Sequence, residues 1–162
     1  MTVPIRPAAT VAVLRDGDDG LEVLLLRRTD RAVFVPGAHV FPGGAVDPGD
    51  ADSRAAAARE AAEEAGLDLD PAALREIARW VTPPGGPRRF DTRFFVTPLP
   101  DGQVPVADGH EAVELGWWRP ADALDAGLLL IEPTQRTLEW LAGFDSVAGA
   151  LAGPSYQELE PA

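Results

Sequence analysis

The sequence predicts a mixed fold, an α+β domain or α/β sandwich. Three observations predict it. Two β-prone runs, Thr10–Arg15 and Leu21–Leu26, flank the turn signal Asp16-Gly17-Asp18-Asp19-Gly20 and read as a hairpin. An Ala-rich stretch from Asp52 to Ala65 carries Asp52 or Ser53 as an N-terminal cap and Gly66 where a left-handed C-terminal cap is expected. From Arg88 to Thr97 the side chains alternate, with Phe90, Thr92, Phe94 and Val96 on one face and Arg89, Asp91 and Arg93 on the other.

Taken in order, the hairpin is followed by Val33–Gly44, too rich in Pro and Gly for a regular helix. The capped helix comes next, and Pro71 opens a second short helical stretch toward Ile77. Beyond Trp80-Val81-Thr82 lies a polar loop, Pro83-Pro84-Gly85-Gly86-Pro87, and then the alternating strand. Pro98–Gly109 reads as loop, Val113–Trp118 as strand, and Pro120–Ala126 and Thr134–Leu141 as helices. No repeat or long linker divides the chain, so residues 1–162 are expected to form one domain, with 1–7 and 153–162 as loose tails.

Composition narrows the function. The 162 residues carry 14 basic and 26 acidic side chains, a formal charge of −12. That balance is unsuited to gripping a nucleic-acid polymer or an anionic membrane surface. There is no Cys, which excludes disulfides, zinc–thiolate sites and thiol nucleophiles. No apolar run approaches the ~20 residues needed to span a bilayer, and the N-terminus lacks a signal peptide's apolar stretch, so the cytoplasm is the expected location. The sequence leaves room for a homodimer.

The chemistry concentrates on the capped helix. Glu60, Glu63 and Glu64 stand at i, i+3 and i+4, so their carboxylates share one helix face. Like charges at that spacing repel, and a hard cation reverses the sign, because carboxylate oxygens are natural ligands of Mg²⁺, Mn²⁺ or Ca²⁺. The alternative is a solvated acidic face, but Phe41-Pro42-Gly43-Gly44 upstream supplies glycines whose backbone can approach an ion closely. Arg59 can reach Glu63 at i+4 and also the loop before the helix, which contains Asp47 and Asp50.

Arg59-Glu60-Ala61-Ala62-Glu63-Glu64-Ala65-Gly66-Leu67 resembles the second half of the Nudix hydrolase box. The first half departs from it: the 14 residues between Gly44 and Arg59 are one more than the family's spacing, and Asp50 stands where the first Glu is expected. The extra residue is similar to the coenzyme A diphosphatase branch, as are Leu24-Leu25, Arg28, Gly37 and Phe41-Pro42-Gly43-Gly44 at matching spacing. Phe34–Gly44, Trp80-Val81-Thr82-Pro83 and Arg88–Thr92 resemble the peroxisomal members of that branch, while Val33 replaces an Arg of the signature.

The resemblance implies an α/β/α sandwich around a mixed sheet and hydrolysis of a nucleoside diphosphate linked to another moiety, with coenzyme A or acyl-CoA favoured. The alternatives are ADP-ribose, a nucleotide sugar or a nucleoside triphosphate; in a different class, a non-catalytic nucleotide-binding regulatory module. It further implies Mg²⁺ or Mn²⁺ held by Glu60, Glu63 and Glu64 with the Gly44 carbonyl. Glu111 or Glu114, from a later loop, would add a ligand or activate water. Arg59 takes a supporting role beside these carboxylates. Arg28, Arg88, Arg89 and His39 are the expected substrate-binding residues. For Arg89 and Arg93 a ladder with Asp91 is an equal alternative, and alternation sends only one of Arg27 and Arg28 toward the cleft. One of Trp80, Trp117, Trp118 and Trp140 could stack on a base.

Overall fold

The computed structural model describes residues 2–32 and 35–157. The hairpin forms as expected from strands β1 (Ile5–Gly17) and β2 (Gly20–Arg28), which meet at Gly17 and Gly20. Gly20 has φ of +120°, which is why the tight turn needs glycine there. The two strands part beyond Leu14 and Val23. The split is filled by two short strands, β3 (His39–Val40) against β2 and β4 (Gly43–Ala45) against β1. Val33 and Phe34 lie outside the described residues.

Helix α1 (Ser53–Ala65) begins where Asp52 accepts a hydrogen bond from the Ala55 N–H at 2.9 Å and ends at Gly66 with φ of 66°. Its buried stripe is Ala56, Ala57, Ala61 and Ala65, and such small side chains let the helix lie close against β1. The second helical stretch is corrected by the structure. Only a 3₁₀ turn, Pro71–Ala73, follows Pro71, and Arg75–Val81 is strand β5. Ile77 is fully buried and β5 pairs antiparallel with β6 (Arg89–Pro98), so tertiary pairing overrides local helical preference. Strand β7 (Ala112–Trp118) pairs with β2, and helices α2 (Pro120–Asp125), α3 (Glu132–Leu141) and α4 (Val147–Ala152) complete the order.

The main path through the sheet is β3-β2-β1-β6-β5, and the sheet is mixed, because β1 and β6 run parallel from Ile5 beside Arg89 to Leu14 beside Pro98. Two apolar layers cover it. One packs α1 on Val11, Val13, Leu24 and Leu26; the other packs Leu138 and Leu141 of α3 and Ala150 of α4 on Val23, Leu25 and Ile77. This is an α+β sandwich. Two segments expected to be loose are ordered: Ile5–Pro7 belongs to β1, and Tyr156 donates its N–H to the Ile77 carbonyl at 3.1 Å. Glu158–Ala162 lie outside the described residues. No helix among the described residues is long and apolar enough to cross a membrane.

The charged face of β6 is cross-linked to β5. Asp91 accepts from Arg79 Nε at 2.8 Å, and Arg93 Nη1 donates to Glu76 at 2.8 Å. The Arg79 guanidinium holds the Asp91 carboxyl below the usual carboxylate range. A depressed carboxyl stabilises the fold above its unfolded pKa, near 4, and loses that contribution as pH falls. Asp91→Asn is therefore expected to lower Tm at neutral pH by roughly 2–4 °C, for a pair worth ~1 kcal/mol. The gap to the native protein should close as the solution is acidified below about pH 4; thermal melts showing a pH-independent gap would contradict this origin.

Candidate active site

The capped α1 fixes the register of its acidic face. Glu60 and Glu64, one turn apart, both point toward the sheet, and Glu64 is 3% exposed. Gly43, held on β1 by strand pairing, donates its N–H to Glu64 Oε1 at 3.0 Å. A Cβ on Gly44 would stand 2.6 Å from Glu60 Oε1, so glycine is what lets this backbone lie against that carboxylate. Glu111 arrives from the turn before β7, which Asp108 shapes by accepting the N–H groups of His110 and Ala112. One carboxylate oxygen each from Glu60, Glu64 and Glu111 lies within 4.8 Å of the other two.

Burial pushes the Glu64 carboxyl up to about 8, with Glu60 and Glu111 adding repulsion against the Gly43 hydrogen bond and Arg28. Burial also raises Glu60, opposed chiefly by Arg59. Three carboxylates gathered with one of them buried is an arrangement that a hard divalent cation relieves, and the donor set is the oxygen-only one such ions take.

Glu63 is placed differently from its expected position in the cluster. Arg59 Nη1 reaches it at 3.1 Å, and its side chain is largely exposed. Arg59 is the junction of the region. It clasps Asp50 with Nε at 3.0 Å and Nη2 at 3.1 Å, touches the Ala45 carbonyl, and shares Nη1 between Glu60 and Glu63. Asp50, standing at the departure from the expected box, thus tethers the loop that precedes α1, and the Arg59 guanidinium holds its carboxyl low.

A cleft of about 680 Å³ opens beside the carboxylates. Glu60, Glu111, Gly43 and Gly44 line one part of it; Arg28 and Arg88 are also in its wall. Arg27 faces the other way, where it pairs with Asp30 and Glu114, so of Glu111 and Glu114 only the former joins the cluster. Arg89 is not in the cleft wall: strand alternation turns it away, and its Nε donates to the Thr82 carbonyl at 3.0 Å. His39 is likewise absent from the wall. It shares its sheet face with Arg27, and its ring meets Trp118 edge-on with centroids 6.2 Å apart. Burial, with help from Arg27, pushes its imidazole pKa down. Of the four tryptophans, Trp80 alone lines the cleft.

The NUDIX domain family model matches residues 4–141. The chain belongs to the Nudix family. Its sequence is 34% identical to the acyl-coenzyme A diphosphatase NUDT19 of Gallus gallus, over 73% of this chain and 28% of that protein. It is 35% identical to Nudix hydrolase 15, mitochondrial, of Arabidopsis thaliana, over 61% of this chain and 38% of that one. The chain spans about half or less of the length of the curated relatives it matches. Among solved structures, a NUDIX hydrolase from Alicyclobacillus acidocaldarius superposes with a TM-score of 0.86 at 29% identity, covering 99% of this chain and all of that one. Within this Nudix domain, sequence reasoning missed the wall built from Ile131, Pro133 and Thr134 at the start of α3. The signal available was Pro133 at the first turn of a helix, which marks a helix start but not a cleft.

Proposed function

We propose that this Nudix domain hydrolyses the diphosphate linkage of a nucleoside diphosphate joined to a second group, with coenzyme A or acyl-CoA as substrate. The observation that carries the reading is the gathering of Glu60, Glu64 and Glu111 beside a cleft whose wall also holds Arg28 and Arg88. Mg²⁺ or Mn²⁺ would be held by Glu60, Glu64 and Glu111, with the Gly44 carbonyl as a further donor. When bound, such an ion neutralises the diphosphate and lowers the pKa of a water.

The chain's own groups do the rest. Arg28 and Arg88 bind phosphate oxygens in bidentate fashion. A carboxylate of the cluster accepts the proton of the attacking water; because these groups repel one another, their titrations are coupled and belong to the set. Water adds to one phosphorus, and the bridging oxygen leaves with the other. Arg59 keeps Glu60 and the preceding loop in place, a supporting role that aligns the acting groups. The signature residues Leu24-Leu25, Arg28, Gly37 and Phe41–Gly44, and the likeness to an acyl-coenzyme A diphosphatase, support the substrate. The charge balance supports a small-molecule substrate over a nucleic-acid polymer, and a cytoplasmic location accords with the sequence.

The test is a panel of coenzyme A, acyl-CoA, ADP-ribose, a nucleotide sugar and a nucleoside triphosphate, each with Mg²⁺ and with Mn²⁺. Coenzyme A is expected to yield 3′,5′-ADP and 4′-phosphopantetheine. Arg88→Ala should lose about 1.5–3 kcal/mol more transition-state stabilisation on coenzyme A than on dephospho-CoA, the size of a charge-assisted hydrogen bond to the 3′-phosphate. Equal losses would assign Arg88 to the diphosphate, and absence of coenzyme A cleavage beside turnover of another compound would replace the substrate.

A further inference from the structure

The end of the cleft formed by β5 and the start of α3 is tied together by a residue that takes no part in its wall. Trp80 Nε1 donates to the Tyr156 hydroxyl at 2.7 Å. Thr137 Oγ1, fully buried, gives its only proton to the Pro133 carbonyl at 2.8 Å. The 2.8 Å contact between Thr137 Oγ1 and the Tyr156 oxygen must therefore have Tyr156 as donor. The three bonds run in one direction, Trp80 to Tyr156 to Thr137 to Pro133. Trp80 and Pro133 both line the cleft, so the Tyr156 hydroxyl links the two walls. The segment carrying Tyr156 is itself anchored along β5, through the Tyr156 N–H on the Ile77 carbonyl and the Gln157 side chain on the Arg79 carbonyl. Trp140 packs on the phenol ring with centroids 5.9 Å apart.

This arrangement decides what Trp80 can offer a ligand. Its single hydrogen-bond donor is already used, so only the apolar face and edge of the indole remain available. Phe90 and Phe94 extend that surface, and Thr10, Thr92 and Thr134 also line the cleft. Rings with threonines among them suit a flat heteroaromatic base, with a stacking face and a hydrogen-bonding edge, better than a saturated chain.

We propose that Trp80 is the stacking platform for the base of the bound nucleotide and that Tyr156 is its positioning residue, fixing the indole by the bridge to Thr137 and Pro133. The proposal rests on the reading of the cleft as a nucleoside diphosphate site and adds where the base lies.

The experiment is calorimetric titration of the full chain, in the presence of Mg²⁺, with two probes: adenosine 5′-diphosphate and inorganic pyrophosphate, which has no base. Tyr156→Phe keeps the ring and removes the hydroxyl. It is expected to weaken binding of the nucleotide by about 5–20-fold and to leave pyrophosphate within about twofold, as loss of one or two hydrogen bonds behind a stacking surface would. In a Trp80→Phe background, which has no N–H to be held, adding Tyr156→Phe should weaken the nucleotide by less than about threefold more. Equal weakening of both probes, an unchanged nucleotide affinity, or full additivity of the two substitutions would overturn the proposal. Native protein that binds pyrophosphate but not the nucleotide would also overturn it, while leaving the diphosphatase reading to the hydrolysis panel. Nucleotide binding that responds as expected in a chain cleaving nothing on that panel would uphold the base site and remove the proposed activity.

Discussion

Glu60→Gln and Glu64→Gln are each expected to lower turnover by at least ~100-fold at saturating Mg²⁺, the loss typical of a directly acting electrostatic group. Glutamine keeps the shape and can still accept the Gly43 N–H that Glu64 now accepts at 3.0 Å, so the loop is not released. Replacing a carboxyl in the set gathered within 4.8 Å also removes the cost of charging it at a buried, repelling position, and Tm in the absence of divalent ions should hold or rise. The same variants should lose most of the Tm increase that a cation bound only by the folded state provides. Steady-state rates near the native value in either variant would remove the carboxylate cluster from the reaction.

The second large effect belongs to Gly43. A Cβ there would sit 2.6 Å from the Ala9 carbonyl oxygen and 2.9 Å from Thr10 Cα, both backbone atoms of β1 that cannot step aside. Gly43→Ala must push β4 off β1, at a destabilisation of about 1–3 kcal/mol, and it carries away the N–H that steadies Glu64. Gly44→Ala is the informative contrast. Its Cβ would meet the end of the Glu60 side chain at 2.6 Å, which can rotate away. Chemical denaturation should therefore show a clear loss for Gly43→Ala and a small one for Gly44→Ala, while turnover falls in both. Equal stability losses would mean that strand pairing does not set the difference.

The parts of this molecule readable from its sequence are the ones written locally. Asp52 and Gly66 mark α1 at both ends, and Asp16–Gly20 marks the hairpin, because capping and turn chemistry act over a few residues. Glu60 and Glu64 were legible as a pair for the same reason. Glu63 was not separable from them, since helical spacing alone cannot say that Arg59 captures it. Arg75–Ile77 reads as helix because Pro71-Ala72-Ala73 starts a helical turn, which pairing with β6 cuts short. Arg89 and His39 were drawn toward the cleft by their chemistry and excluded from it by strand alternation, which depends on register. Tyr156 gave no local sign at all, because its partners Trp80 and Thr137 lie in other elements.

The parallel pairing of β1 with β6 has a consequence for how the chain is made. The hairpin of β1 and β2 can close as soon as it emerges from the ribosome, yet the other edge of β1 must wait for Arg89–Pro98. Until then Val11, Val13 and their neighbours present an apolar strand with an unmatched row of backbone groups, the kind of edge that recruits other chains. Closing so long a loop is slow, in the millisecond-to-second range for sheets dominated by non-local pairs. Premature termination before Arg89 would thus leave a fragment able to form its first hairpin but not to shield it, and nascent chains of that length are where misassembly should concentrate.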